Sequence, residues 1–277
     1  MVLPRPWSAA SGLPASQRAE FEKIVRAGAT GYMLVNVSEL RDYVMGARLI
    51  ADICWDAPAI YAAPQAAERY TAWWSREYFG GPGTSQAAEA AYNRYFSLLD
   101  SPDTLWTAME AIQTLIDGLY RKVAGRSPAE LDPGTLARLQ SRALLLDEAL
   151  AAAEQAGKQM TPAQRRFFSI DVALGLRIAQ RQTRAALKLE EALRAGDAGR
   201  MWQLAGEALT WLEQLEAELA RGEYAPFERW YQESWIRSAG SLNNPHRAYR
   251  QLRDFIGSDG RDQRPPVTEP GLPPVAR

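Results

Sequence analysis

The chain of 277 residues holds one cysteine, Cys54, and one histidine, His246. A lone cysteine closes no internal disulfide, and one Cys with one His falls short of the roughly four such ligands of a structural zinc site. Neither a metal nor a cofactor is expected. An excess of one charge is missing too: 32 Lys and Arg stand against 33 Asp and Glu, a net charge of −1. No summed field therefore draws the chain toward nucleic acid or an anionic membrane. No run approaches the roughly 20 apolar residues of a membrane span. The opening "MVLPRPWSAASGLP" has an Arg but lacks the apolar stretch of a secretory leader, so as given the chain reads as cytoplasmic. Also absent are the phosphate-cradling GxxxxGK[ST], a GxGxxG after a strand, the GxSxG elbow and HExxH. Those absences exclude the familiar nucleotide, dinucleotide, serine-hydrolase and zinc-protease sites.

What is present is helical texture with clear punctuation. "PASQRAEFEKIVRAGATG" spaces Ala19, Phe21, Ile24 and Val25 for a surface helix that stops at Gly28. Pro64, Pro102, Pro133 and Pro162 fit first helical positions, where the missing N–H is not needed. Ser101, Asp132 and Thr161 precede three of them as N-caps, and Thr161 with Gln164 forms a capping box. Leu139, Ala143, Leu146, Leu150 and Ala153 repeat in steps of three and four, the stripe of a helix packed on one side. A long helix follows from about Pro162 to Ala195, then the turn "AGDAGR", then Leu204, Ala208, Trp211, Leu215 and Leu219 on one face. Long helices joined by short turns make a bundle. The fold class is mainly α: a helical bundle over 59–256 after a short α/β unit over 1–58, with a Pro-rich tail over 257–277 expected to be disordered.

The α/β unit rests on "YMLVNV". It is apolar at nearly every position, β-branched in part and bounded by Gly31, which predicts a strand over about 31–37 covered on both faces. At the end of that strand stand Asn36, Ser38 and Glu39. In α/β barrels residues at strand C-termini line the active-site face, where Asn can hold a hydroxyl and Glu can act as acid or base. The competing reading makes Ser38 an N-cap and Glu39 a first-turn acid favoured by the helix dipole.

Aromatic residues crowd two stretches. "WDAPAIY" and "YTAWWSREYFGGPG" hold Trp55, Tyr61, Trp73, Trp74, Tyr78 and Phe79, most of them expected in the core. "FERWYQESWIRS" sets Tyr231 and Trp235 on one helical face beside Arg229 and Arg237. That arrangement fits either a ligand-facing cluster or a terminal helix clamped to the bundle. His246 follows Pro245 in a helix start capped by Asn244 and has no partner in sequence. Asp171, between Ile170 and Val172, calls for a partner such as an arginine on a neighbouring helix.

Taken together, "YMLVNVSELR", "DICWDAP", "YTAWWSREYFG" with "AAEAAYNRYFSLL", and "FERWYQESWIR…NNPHRAYRQLRDF" resemble the latter part of family 115 glycoside hydrolases, the xylan α-1,2-glucuronidases. The similarity runs roughly from Gly31 to Phe255, with the strand-end motif and Trp74 to Gly80 its specific parts. The resemblance implies the end of a TIM-like barrel leading into a helical bundle. It implies removal of uronic acid side chains from glucuronoxylan, with Asn36 and Glu39 as catalytic-site residues and Trp55, Tyr231, Trp235 and Arg237 touching sugar. Asn36 matches the family motif, whereas Ser38, Glu39 and Arg41 stand where its pattern has Gly, Asp and Lys. An eight-stranded barrel takes about 250 residues, and only some thirty precede Asn36. The expectation is the C-terminal region of such a hydrolase, as a truncated or split gene product or a decayed homologue, inactive alone, with an upstream barrel chain or a second copy as the candidate protein partner. The alternative from another class is a noncatalytic helical module that mediates protein assembly.

Overall fold

Local chemistry sets the helix ends. Asp132 accepts the Thr135 N–H at 2.9 Å and caps a helix with Pro133 in its first turn. Thr161 and Gln164 form the reciprocal capping box, and Asp197 accepts the Arg200 N–H at 2.9 Å. Gly28, just past the first helix, has φ +69°, a left-handed conformation that other residues adopt only with strain.

A computed structural model describes residues 13–35, 40–62, 66–99, 103–228 and 245–258. Its helices are α1 (Leu13–Arg26), α2 (Val44–Tyr61), α3 (Ala66–Phe79), α4 (Pro82–Leu99), α5 (Asp103–Val123), α6 (Pro133–Lys158), α7 (Pro162–Phe168), α8 (Leu174–Arg194), α9 (Ala198–Arg221) and α10 (Pro245–Ser258). A 3₁₀ turn over Leu40–Tyr43 leads into α2, and a π turn over Ser169–Ala173 joins α7 to α8. The class is mainly α, and no helix among the described residues is long and apolar enough to cross a membrane.

Two apolar clusters form the interior. The first gathers Phe21, Leu49, Trp74, Phe79, Tyr92 and Leu146 from α1–α4 and α6. The second gathers Ile112, Leu115, Leu189, Leu209, Leu212 and Leu252 from α5 and α8–α10. The stripe Leu139, Ala143, Leu146, Leu150 and Ala153 is buried, as its spacing predicts. The expected strand is not found: among the described residues there is no strand or sheet. Tyr32 and Leu34 are 84% and 72% exposed, and only Val35 leans on the first cluster. A strand exists by pairing its N–H and C=O groups with a second one, and these helices offer none. Residues 36 and 37 of that expected strand, and the tail beyond Ser258, lie outside the described residues.

Asp171 receives the hydroxyl of Tyr92, which in turn accepts the indole N–H of Trp74 at 3.1 Å. The polar chain thus crosses the first cluster from α3 through α4 to the π turn. Burial first, and the Asp171 charge second, push the Tyr92 phenol well above its ordinary range, so it remains a donor. His246 does gain a partner, the Glu216 carboxylate at 3.1 Å, which ties α10 to α9.

A Cβ at Gly118 would sit 2.6 Å from the Ala129 carbonyl and 3.2 Å from Leu193, so Gly118→Ala should cost about 2 kcal/mol in urea unfolding through overpacking. Hydrogen bonds from the Thr135 hydroxyl and then its N–H hold the Asp132 carboxyl below its usual 3.8. A depressed carboxyl stabilises the fold above its unfolded pKa and loses that contribution as pH falls through the folded value. Tm should therefore drop as pH falls below about 4, with a component that Asp132→Asn removes.

Candidate functional site

Arg41 is the first of the singled-out motif residues that the structure describes, and it is buried. Its Nη1 donates to the Gly222 carbonyl at 2.6 Å, a contact spanning 181 residues of chain. That carbonyl lies at the C-terminal end of α9, where the helix dipole favours a cation. The same guanidinium lies over Phe227 at 5.1 Å and Tyr224 at 5.5 Å, and Arg166 lies over Tyr224 at 4.4 Å. A planar guanidinium can stack on rings while its edge donates, which an ammonium cannot do in the same way. The Arg found where the family pattern has Lys thus has a local physical reason.

This junction matters for position. Asn36, Glu39, Tyr231, Trp235 and Arg237 lie outside the described residues. Their described neighbours in the chain nevertheless meet: Arg41 is two residues beyond Glu39, and Phe227 is four before Tyr231. The sequence could have pointed to this only through the unmatched Arg, since nothing local ties residue 41 to residue 222.

Trp55 is placed apart from the junction. It stands on α2 beside Asp56, whose φ of −149° and ψ of 75° break the helix just before Pro58. Trp55 continues the exposed face of α2 that carries Arg48 and Ala51, and it is 92% exposed. Of the six aromatics in the two stretches, Trp74 and Phe79 are fully buried and Trp73, Tyr78 and Tyr61 are partly so, which leaves Trp55 as the exception. Trp55 borders an open groove of about 400 Å³ shared by α2 and α3, with Arg48, Asp52, Ile60, Arg69, Tyr70 and Trp73 in its walls. Arg48 donates to Asp52 at 2.8 Å and covers the Trp73 ring at 5.1 Å. Tyr70 donates to the other Asp52 oxygen at 3.1 Å, and Asp56 accepts the Ala59 N–H at 3.0 Å. Burial first, then the Asp52 charge, push the Tyr70 phenol upward and keep it a donor. Both carboxylates of the groove are engaged as acceptors.

A larger cleft of about 820 Å³ lies between α4, α5 and α6, with Glu110, Glu130, Asp132, Arg138 and Arg142 in its lining. It has no aromatic wall, and Asp132, Thr135 and Arg138 bond to one another there. Among the described residues no group of three His, Cys, Asp or Glu side chains could hold a metal ion.

Residues 6–102 match the model of Glycosyl hydrolase family 115. That stretch takes in α1–α4, and with them Arg41 and the Trp55 groove. It covers about a third of the chain and ends well before the Tyr231 to Arg237 group. The resemblance read from the strand-end motif and Trp74 to Gly80 is borne out over this stretch, which is similar to glycoside hydrolases of that family. No curated protein and no solved structure matches the chain.

If Arg41 staples the two ends together, Arg41→Ala should lower stability by about 2–3 kcal/mol, losing a charged hydrogen bond and its ring contacts. Arg41→Lys should recover less than half of that, and denaturant unfolding of the three proteins checks the order.

Proposed function

We propose that the chain is the helical, C-terminal part of an α-glucuronidase-like glycoside hydrolase that acts on uronic acid side chains of glucuronoxylan. The supporting observation is the Arg41 junction. It joins Arg41, two residues after Glu39 in the chain, to Gly222, Tyr224 and Phe227, the last of them four residues before Tyr231. In this reading Asn36 holds a sugar hydroxyl, Glu39 serves as acid or base, and the aromatic and guanidinium side chains grip the sugar. Removing a glycosidic side chain calls for two carboxyl groups flanking the bond. Glu39 supplies one, and the second comes from a barrel-bearing partner, so the helical part is inactive alone.

A second reading, a noncatalytic module for protein assembly, draws on the exposed Tyr32 and Leu34 beside Val35. An apolar, extended segment of this kind suits pairing with another chain.

The test is release of uronic acid from 4-O-methylglucuronoxylan by the purified chain, with and without a complementing barrel protein. The expected outcome is release only with the partner, reduced at least about 100-fold by Glu39→Gln, the range for loss of an acid or base. Release by the chain alone would contradict the need for a partner. No release in any combination, with complex formation through Tyr32 and Leu34, would leave the assembly reading in its place.

A further inference from the structure

We propose that the guanidinium cluster of Arg177, Arg181 and Arg221, where α8 meets the end of α9, binds a tetrahedral oxoanion: free phosphate or the phosphate group of a small phosphorylated molecule. The cluster lies outside the stretch matched to the glycoside hydrolase family and takes nothing from the hydrolase reading.

The charges in this cluster do not balance. Arg177 and Arg181 stand four residues apart on one face of α8 and reach one carboxylate of α9, Glu218, at 4.0 and 3.6 Å. Arg221, in the last turn of α9, reaches the same carboxylate at 2.9 Å, and only this contact is short enough for a hydrogen bond. Glu154 of α6 adds a second carboxylate, 3.1 Å from Arg177. Three positive charges thus share two negative ones, whereas Arg26, Arg48 and Arg194 each have a carboxylate of their own one turn away. Burial pushes the Arg181 guanidinium below its ordinary pKa, Glu218 draws it back, and the Arg177 and Arg221 charges push it down again. One further negative charge is attracted by all three guanidiniums and relieves the repulsion among them.

The cluster is also layered. The Glu218 side chain is 4% exposed, while those of Arg177, Arg181 and Arg221 are 23%, 18% and 46% exposed. The carboxylate lies beneath and the guanidiniums extend past it toward solvent, so an anion arriving from outside meets the donors first. Partly buried charges of this kind are screened by salt less than fully exposed ones.

The donors are held in place before any ligand arrives. Arg181 lies over the Trp211 ring at 5.3 Å and donates to Gln180, which is itself bonded to Asp147 of α6. A planar guanidinium fixed on a ring loses little freedom on taking a ligand. Shape then selects the ligand. A carboxylate offers one planar pair of acceptors, which suits a single guanidinium fork. The three guanidiniums here come from two helices, and a tetrahedral oxoanion presents acceptors in several directions.

Thermal unfolding at constant ionic strength tests this, with chloride replaced stepwise by inorganic phosphate, glycerol phosphate or acetate. The proteins are the wild type, Arg221→Gln, the double variant Arg177→Gln with Arg221→Gln, and Arg253→Gln. Arg253, paired with Asp254 on α10, is a control away from the cluster. Each protein is read against its own chloride baseline, so a variant of lower stability remains informative. The expected result is a Tm gain of about 3–5 °C for the wild type and Arg253→Gln, saturating within about 20 mM phosphate. That gain should fall by at least half in Arg221→Gln and vanish in the double variant, and acetate should give none. Broadening of the phosphate ³¹P resonance by folded wild type, and not by the folded double variant, is the second readout. A gain that climbs without saturating, as exclusion of phosphate from protein surfaces produces, would overturn the proposal. So would no gain, an equal gain with acetate, or a gain kept in the double variant. A saturating gain from inorganic phosphate alone supports the site and names the free ion; one from glycerol phosphate as well supports it for a phosphorylated small molecule.

Discussion

The helical wall formed by α7, the π turn and α8 is the constraint on which the rest of the structure depends. Phe168, Val172, Leu176 and Ala179 enter the first cluster, while Leu174, Ile178, Ala185 and Leu189 enter the second. One rod thus supplies part of both interiors, and neither can be rebuilt without re-phasing the other. The chain from Trp74 through Tyr92 to Asp171 fixes that rod against α3 and α4 by direction as well as by area. Apolar contact alone would allow the rod to rotate or slide. A buried hydroxyl that needs its carboxylate does not.

Both candidate regions border α2. Arg41, just ahead of the helix, is caught by the end of α9 and by Tyr224 and Phe227. Further along, the Asp56 kink interrupts the helix just after Trp55. The regular period of 3.6 residues puts Trp55 on the solvent face with Arg48 and Ala51, opposite Leu49, Ile50 and Ile53. Trp73 and Trp74, next door on α3, are by contrast engaged with Arg48 and Tyr92.

How much of this was legible in the sequence divides along the range of each interaction. The caps at Asp132 and Thr161 were readable because the cap and the N–H it receives are three residues apart. The stripe from Leu139 to Ala153 was readable because helical period alone defines it. "YMLVNV" misled because an apolar run without periodicity states hydrophobicity and not a pairing partner. Trp55 was picked out with its aromatic neighbours, but its exposure was legible only from the period of its own helix, which puts it on the face of Arg48 and Ala51 and opposite Leu49, Ile50 and Ile53. Most remote from the sequence were the contacts that closure of the fold creates: Glu216 for His246 and Gly222 for Arg41. The flanks of the remaining candidate residues came together only through the last of these.

The acceptor at Gly222 is a main-chain carbonyl. Every residue type carries that group, so the identity of residue 222 can drift through evolution without weakening the bond, provided α9 still ends there. Correlated change between distant positions, the usual trace of a long-range contact, would therefore be faint for this pair. It would surface instead between residue 41 and the rings at 224 and 227, or as resistance to insertions near the end of α9. In this protein a length, rather than a letter, records the contact.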